Sequence, residues 1–307
     1  MDSWPELGTR VTVRHRRPAG SIPPLTDVVG HLLEIAPLVR VRTKTGSVVQ
    51  FAPADVVTVR ILSDAPVRTS EIRALEHAAA LAWPGVEQHW LDGWLLRAGH
   101  GVTHRANSAV PLQISADQAA IPAIVKWYEQ RDVTPRLAIA DRLFPTSGWY
   151  PQRLIGAGQH ANRMLVREVG TAEPDPSVRL SALPDENWLR FGRQQIPVDV
   201  LSAVIDGELA FGTHTDAATA RASVTDAPDG TRWVGLSAVR VADPQRDAGR
   251  VLCESLLAWG AARGATRGYI RISDNDHAAA SAARSLGFAL HHRARYVTVA
   301  GEPAPRR

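Results

Sequence analysis

Residues 233–300 constrain the fold more than any other part of the chain. Trp233–Val241 reads WVGLSAVRV, an apolar strand pattern. After a short polar stretch comes GRVLCESLLAWGAARG, with Leu252, Leu256 and Trp259 on one helical stripe and Cys253 and Leu257 flanking it. Gly264 stands where such a helix ends, and GYIRIS follows as a second strand. A strand, a crossover helix and another strand in this order put a helix N-terminus directly after a strand end. The turn there, Ala248-Gly249-Arg250, is small and contains glycine. Free backbone N–H groups and the helix dipole at such a place suit a phosphate, and glycine allows close approach. Asp274-Asn275-Asp276 then leads into a further helix, and Leu286-Gly287-Phe288 turns into a last strand.

The rest of the chain is read around that unit. With 307 residues it is long enough for two or three compact parts. Residues 1–62 alternate in short runs (RVTVR at Arg10–Arg14, Val39–Arg42, SVVQFA at Ser47–Ala52, VVTVRIL at Val56–Leu62), which predicts a small five-strand barrel of SH3-like type. Arg14, Arg16, Arg17, Arg40, Arg42 and Lys44 form a basic set on it, read as a solvated face. Ser63–Pro66 is the expected linker. A helix is expected over Thr69–Trp83, with Thr69 as its cap and Pro84-Gly85 as its stop. Strands are expected at 88–98, 105–112, 136–140 and 163–169, a helix at 117–131, a long loop at 144–162 and a hinge at 171–177. Beyond the hinge the pattern reads strand 178–182, helix 184–194, a variable stretch 195–215, strands 217–225 and 232–241, helix 249–263, strand 267–273, helix 276–286 and strand 288–299. The tail, 301–307, is expected to be disordered.

Composition excludes several classes. Nothing approaches eighteen uncharged apolar residues in a row, and the N-terminus lacks a signal-peptide pattern. Cys253 is the one cysteine, so neither an internal disulfide nor a cysteine zinc site is expected, and a reducing cytoplasm fits. Cys253 itself reads as packed and inert. The net charge of +4 comes without a dense basic stripe, so nucleic acid is not an expected partner. His291-His292 are adjacent in a strand and should point to opposite faces, so no metal site is expected there. Trp83, Trp127 and Trp259 sit on helical stripes and read as core.

The order of parts over about 178–300, with Leu286-Gly287-Phe288 in place and spacing, resembles the GNAT N-acetyltransferase superfamily. The stretch Gly93–Leu112 and the helix bearing Trp127-Tyr128 resemble a segment of bacterial GNAT proteins in which a degenerate GNAT-like half, here 67–170, precedes the active half, here 177–300. The whole chain, barrel included, is similar to actinobacterial, especially mycobacterial, GNAT proteins described as histone-acetyltransferase-like. The resemblance implies a mixed α/β (α+β) fold and a cytoplasmic enzyme. It would move an acetyl group from acetyl-CoA to a primary amine, of a protein lysine or a small molecule, by direct attack, with no metal and no membrane. It also allows a homodimer. It implies that the backbone of Ala238, Val239, Arg240 and Val241 meets pantetheine, that Arg246, Ala248, Gly249 and Arg250 hold the pyrophosphate, and that Asn275 contacts the coenzyme.

Two departures stand out. The phosphate loop, Gln245–Arg250 or, shifted by one, Pro244–Gly249, lacks one glycine of the family pattern either way and carries Asp247. Ala283 stands where many members have a tyrosine that protonates the leaving thiolate. An amine with a pKa near 10 must lose a proton before attack. Glu208 and Asp226 are the candidate bases, each with an ordinary surface carboxylate as the competing reading. Tyr269 and Tyr296 are candidates to replace the absent acid, with strand packing as the alternative. A competing view of the whole chain is a catalytically weak coenzyme-binding protein whose barrel binds a peptide or nucleic acid. A longer acyl group than acetyl also stays open.

Overall fold

The computed structural model describes residues 4–62, 67–144, 160–192, 196–215, 217–242 and 246–299. The expected linker at 63–66, most of the expected loop at 144–162, Gln245 and the tail lie outside the described residues. The chain forms two compact units, 1–66 and 67–307.

The first unit is one antiparallel sheet of β1 (Arg10–Arg16), β2 (Leu25–Glu34), β3 (Val39–Thr43), β4 (Val48–Phe51) and β5 (Val56–Ile61), in the order β4-β3-β2-β1-β5. The sequence reading missed β2. Asp27 and Gly30 look like turn residues, yet Val28 and Leu32 point into a core with Val11, Val13, Val39 and Val41. Gly30 is required there, because a Cβ would lie 2.1 Å from the Arg42 carbonyl oxygen. The basic set is exposed apart from half-buried Arg40, and it is partly neutralised: Arg14 grips Asp27 with two bonds of 2.8 and 2.9 Å, and Arg40 meets Glu34 at 3.2 Å.

The second unit contains α1 (Thr69–Leu81), β6 (Glu87–Leu91), β7 (Trp94–Ala98), β8 (Val110–Pro111), α2 (Ile121–Glu129), β9 (Arg136–Ala140) and β10 (His160–Glu168). It continues with β11 (Val178–Ser181), α3 (Glu186–Gly192), α4 (Val198–Leu201), β12 (Glu208–His214), β13 (Ala218–Asp226) and β14 (Arg232–Val241). It closes with α5 (Arg246–Ala261), β15 (Arg267–Ser273), α6 (His277–Ser285) and β16 (Ala289–Thr298). An eight-stranded sheet runs β11-β12-β13-β14-β15-β10-β16-β9, with β14 and β15 parallel and the other neighbours antiparallel. Helix α5 covers one face through Leu252, Leu256 and Leu257, in a core with Val234, Leu236 and Phe288.

Residues 67–307 form one compact unit, in which β10 is inserted between β15 and β16 and β9 edges the same sheet. Several expectations for single elements change. The single strand expected at 88–98 is the hairpin β6–β7, turned by Asp92 and Gly93 at φ 45° and 85°. The strand expected at 105–112 shrinks to β8, because the Asn107 side chain instead accepts from the backbone N–H groups of Gly99 and Gly101. Part of the variable stretch is β12. The cap of α1 is Arg68, whose N–H donates to Glu71 at 2.6 Å, one residue earlier than expected. His291 and His292 do not diverge. The register with β10 slips by one residue here, and this bulge brings their Nδ1 atoms to 2.7 Å. Among the described residues no helix is long and apolar enough to cross a membrane.

Candidate active site

Strands β14 and β15 pair from Trp233/Arg267 to Leu236/Ile270 and then part. At the point of parting Ala238 adopts a left-handed backbone, φ 51°, and the register of β14 on β13 slips between Thr219 and Arg221. Such a bulge re-aims a strand. It opens a wedge whose cleft, about 380 Å³, is lined by Ala238 and Arg240 from β14 and by Arg271 and Ser273 from β15. Trp83, His104, Arg105 and His160 form the facing wall, and Tyr296 lines both this cleft and a water-sized space of about 10 Å³ that also touches Glu76, Arg97 and Tyr269.

A buried charge network lies against that small space. The Arg271 guanidinium donates to both Glu76 oxygens at 2.7 Å, and His292 Nε2 lies 2.8 Å from Glu76 Oε1. A carboxylate only accepts, so His292 Nε2 is the donor. Burial alone would raise the pKa of Glu76, but the Arg271 charge and the His292 bond overcome it and hold the carboxyl well below the usual range. Burial, with the neighbouring His292, lowers His291 to about 3. Burial also lowers His104, helped by the charges of Arg136 and His160. The His104 ring centroid is 4.2 Å from that of His160 and 5.5 Å from that of Tyr296. Arg105 lines the cleft with Tyr296 and lies 5.5 Å over the Trp83 ring, which Arg221 approaches at 4.5 Å.

Two of the residues expected to meet coenzyme line the wedge. Ala238 and Arg240 face the cleft, while Val239 packs against the core under α5. Val241 stands over Gly249, where a Cβ would lie 2.6 Å from Val241 Cγ2, so the helix start approaches the strand as closely as a glycine permits. Ala248 is buried and Arg250 exposed in the first turns of α5. Arg246 begins that helix, and its side chain lies outside the described residues. Asn275 is exposed in the turn after β15, next to Asp276, which caps α6 by accepting from the Ala279 N–H at 2.9 Å.

The expected bases are elsewhere. Glu208 and Asp226 flank the opposite end of β14, where Glu208 pairs with Arg263 at 2.8 Å and Asp226 takes two bonds of 2.7 Å from Arg232. Those Arg232 bonds hold the Asp226 carboxyl below its usual range, and both carboxylates are exposed. Neither reaches the wedge, because a strand the length of β14 separates them from it. Tyr269 is buried with its ring pressed under Gly235, burial raises its pKa, and it lines the small space rather than the open cleft. Ala283 packs into the core beneath α6. Cys253 is buried, and its thiol is pushed up to about 12. Trp83 is buried as expected but is also a wall of the cleft. His104, Arg105, His160, Arg271 and Glu76 were missed. They come from four separate stretches of chain, so no local spacing joins them, and the cluster GHGVTHRAN was the one signal available.

Comparisons agree with this architecture. Residues 69–297 match the family model described as probable histone acetyltransferase Rv0428c C-terminal, and residues 5–60 match one described as Rv0428c N-terminal Sm-like domain. The barrel expected as SH3-like is thus described as Sm-like. The probable histone acetyltransferase Rv0428c of Mycobacterium tuberculosis (strain ATCC 25618 / H37Rv) is 61% identical over 300 residues, covering 97% of each chain. A solved GCN5-related N-acetyltransferase from Kribbella flavida superposes with a TM-score of 0.51 at 15% identity, covering 77% of this chain and 97% of that one, a likeness of fold.

Proposed function

We infer the reaction from one premise: the chain belongs to the family of the probable histone acetyltransferase Rv0428c, and is a GNAT-type acyltransferase. It uses acetyl-CoA and delivers the acetyl group to a primary amine, of a protein lysine or a small molecule, at the wedge between β14 and β15. The parting of these strands after Leu236 and Ile270 carries this reading, because it leaves the edge of β14 unpaired toward an open cleft. An unpaired strand edge can bind an extended amide chain such as pantetheine. The start of α5 fits a pyrophosphate: Gly249 admits close approach, and exposed Arg240 and Arg250 supply charge.

Acetyl-CoA would supply the thioester carbonyl that the amine attacks. The chain's part is to hold both reactants together, take a proton from the amine and return one to the sulfur. His104 suits the first proton transfer, since its lowered pKa keeps the ring neutral at neutral pH. Tyr296, a hydroxyl that lines the same cleft, suits the second.

Calorimetric titration of acetyl-CoA into the full chain tests this, beside an Arg250→Glu variant at an exposed position. Wild type should bind, and the variant should bind about tenfold more weakly, as expected for losing one charge-assisted phosphate contact. No binding by wild type refutes the reading. Binding with no turnover of any amine would favour the alternative, a coenzyme-binding protein without catalysis, which the core-packed Ala283 supports.

A further inference from the structure

We propose that the acceptor amine carries a carboxylate or phosphate group and that Arg105 binds this anion. The proposal rests on the acyl-transfer reading above and names its substrate class.

The charge balance of the cleft carries it. The lining includes His104, Arg105, His160, Arg240 and Arg271, and among the described residues no carboxylate. Two carboxylates adjoin the lining and both are engaged: Glu76 by Arg271 and His292, and Asp274, next to Ser273, by Arg163 and Arg293. Behind the wall, Arg221 is buried with carbonyl partners, donating to Leu201, Ala82 and Ala203 at 2.7, 2.8 and 2.9 Å. Buried Arg97 likewise donates to the carbonyls of Trp83 and Ser108. Of the guanidinium groups of Arg97, Arg105, Arg221 and Arg271, only that of Arg271 is paired with a carboxylate among the described residues.

Arg240 stands beside the start of α5 and belongs with the coenzyme phosphates. Arg105 comes from the facing wall. Its neighbours in the lining are Tyr296 and the indole face of Trp83, 5.5 Å away. A guanidinium in a cleft with neutral neighbours is a ready anion site, because its forked donors match carboxylate and phosphate oxygens. Trp83, on the same wall, carries a buried indole N–H with no hydrogen-bond partner among the described residues, so this wall has donor capacity that protein groups do not use.

A lysine-rich peptide meets the opposite sign of charge from the one it needs here, and loses affinity by like-charge juxtaposition. The same positive surroundings favour the neutral form of an incoming amine, which is the form that attacks. The cleft volume is at the small end of ligand sites, which suits a small molecule.

The test is the rate of thiol release from acetyl-CoA by the full chain with matched amine pairs: amino acids against their carboxamides, phosphoethanolamine against ethanolamine, and a lysine-rich peptide alongside. The anionic member of a pair should show a kcat/KM about 10–100-fold above its neutral partner, the discrimination expected of one charge-assisted contact. The pair with the larger ratio identifies carboxylate or phosphate. Arg105→Gln should collapse the ratio toward unity, and Arg105→Lys should keep most of it. Calorimetry of acetyl-CoA on each variant reports that the fold and coenzyme site persist. Preference for neutral amines or for the peptide, or a ratio that survives Arg105→Gln, overturns the inference alone. Absence of acetyl-CoA binding by wild type overturns it together with the acyl-transfer reading.

Discussion

Replacing Glu76 by Gln should be the most damaging single-atom change in the larger unit. The side chain is almost fully buried at 4% exposure, accepts two 2.7 Å bonds from Arg271 and contacts His292 at 2.8 Å. Removing its charge leaves the buried Arg271 guanidinium without a counter-ion, a loss of about 3–5 kcal/mol in comparable buried pairs. With a urea slope of about 3 kcal/mol/M for a unit of this size, the midpoint should fall by about 1 M or more. Tryptophan fluorescence reports the right unit, since Trp4 is the only tryptophan before residue 67. The pH dependence checks the cause. The folded pKa of Glu76 lies well below its unfolded value of about 4.3, so its contribution is complete above that value and is lost as pH falls through it. At pH 3.3, one unit below, about 1.4 kcal/mol of the difference between wild type and variant should have gone. A midpoint shift within measurement error at pH 7.5, or a difference that stays constant down to pH 3.3, would refute the reasoning.

Two more predictions concern the wedge. If His104 takes the proton from the amine, the acid limb of kcat/KM lies below pH 6.5, because the ring must be neutral and its pKa is lowered. His104→Asn should then remove that limb and lower kcat/KM about a hundredfold, whereas a limb left in place assigns it to another group. Gly235→Ala would put a Cβ 2.3 Å from Tyr269 Cζ under β14. Overpacking of this kind costs about 1–3 kcal/mol, or roughly 3–10 °C in Tm, so an unchanged Tm would show the ring free to move.

The alternation of Val39–Arg42, the helical stripe of Leu252, Leu256 and Trp259, and the Leu286-Gly287-Phe288 turn were readable because each is a local pattern whose period reports which face is buried. On that basis β14, α5, β15, α6 and β16 fall within a few residues of where the chain alone placed them. The strands β2 and β12 escaped because their turn-like residues are set in sheets by partners, not by propensity. The cluster of His104, Arg105, His160, Arg271 and Glu76 was out of reach for the same reason. His104 and Arg105 meet Tyr296 only because β16 joins the far side of the sheet, and Glu76 meets Arg271 across 195 positions of chain. Nor could alternation foresee that His291 and His292 share a side, since that depends on one slipped residue against β10. Local periodicity thus determined the elements and their order. Long-range pairing, strand parting and buried charge decided which side chains face the cleft, because those are properties of contacts between segments that no single segment contains.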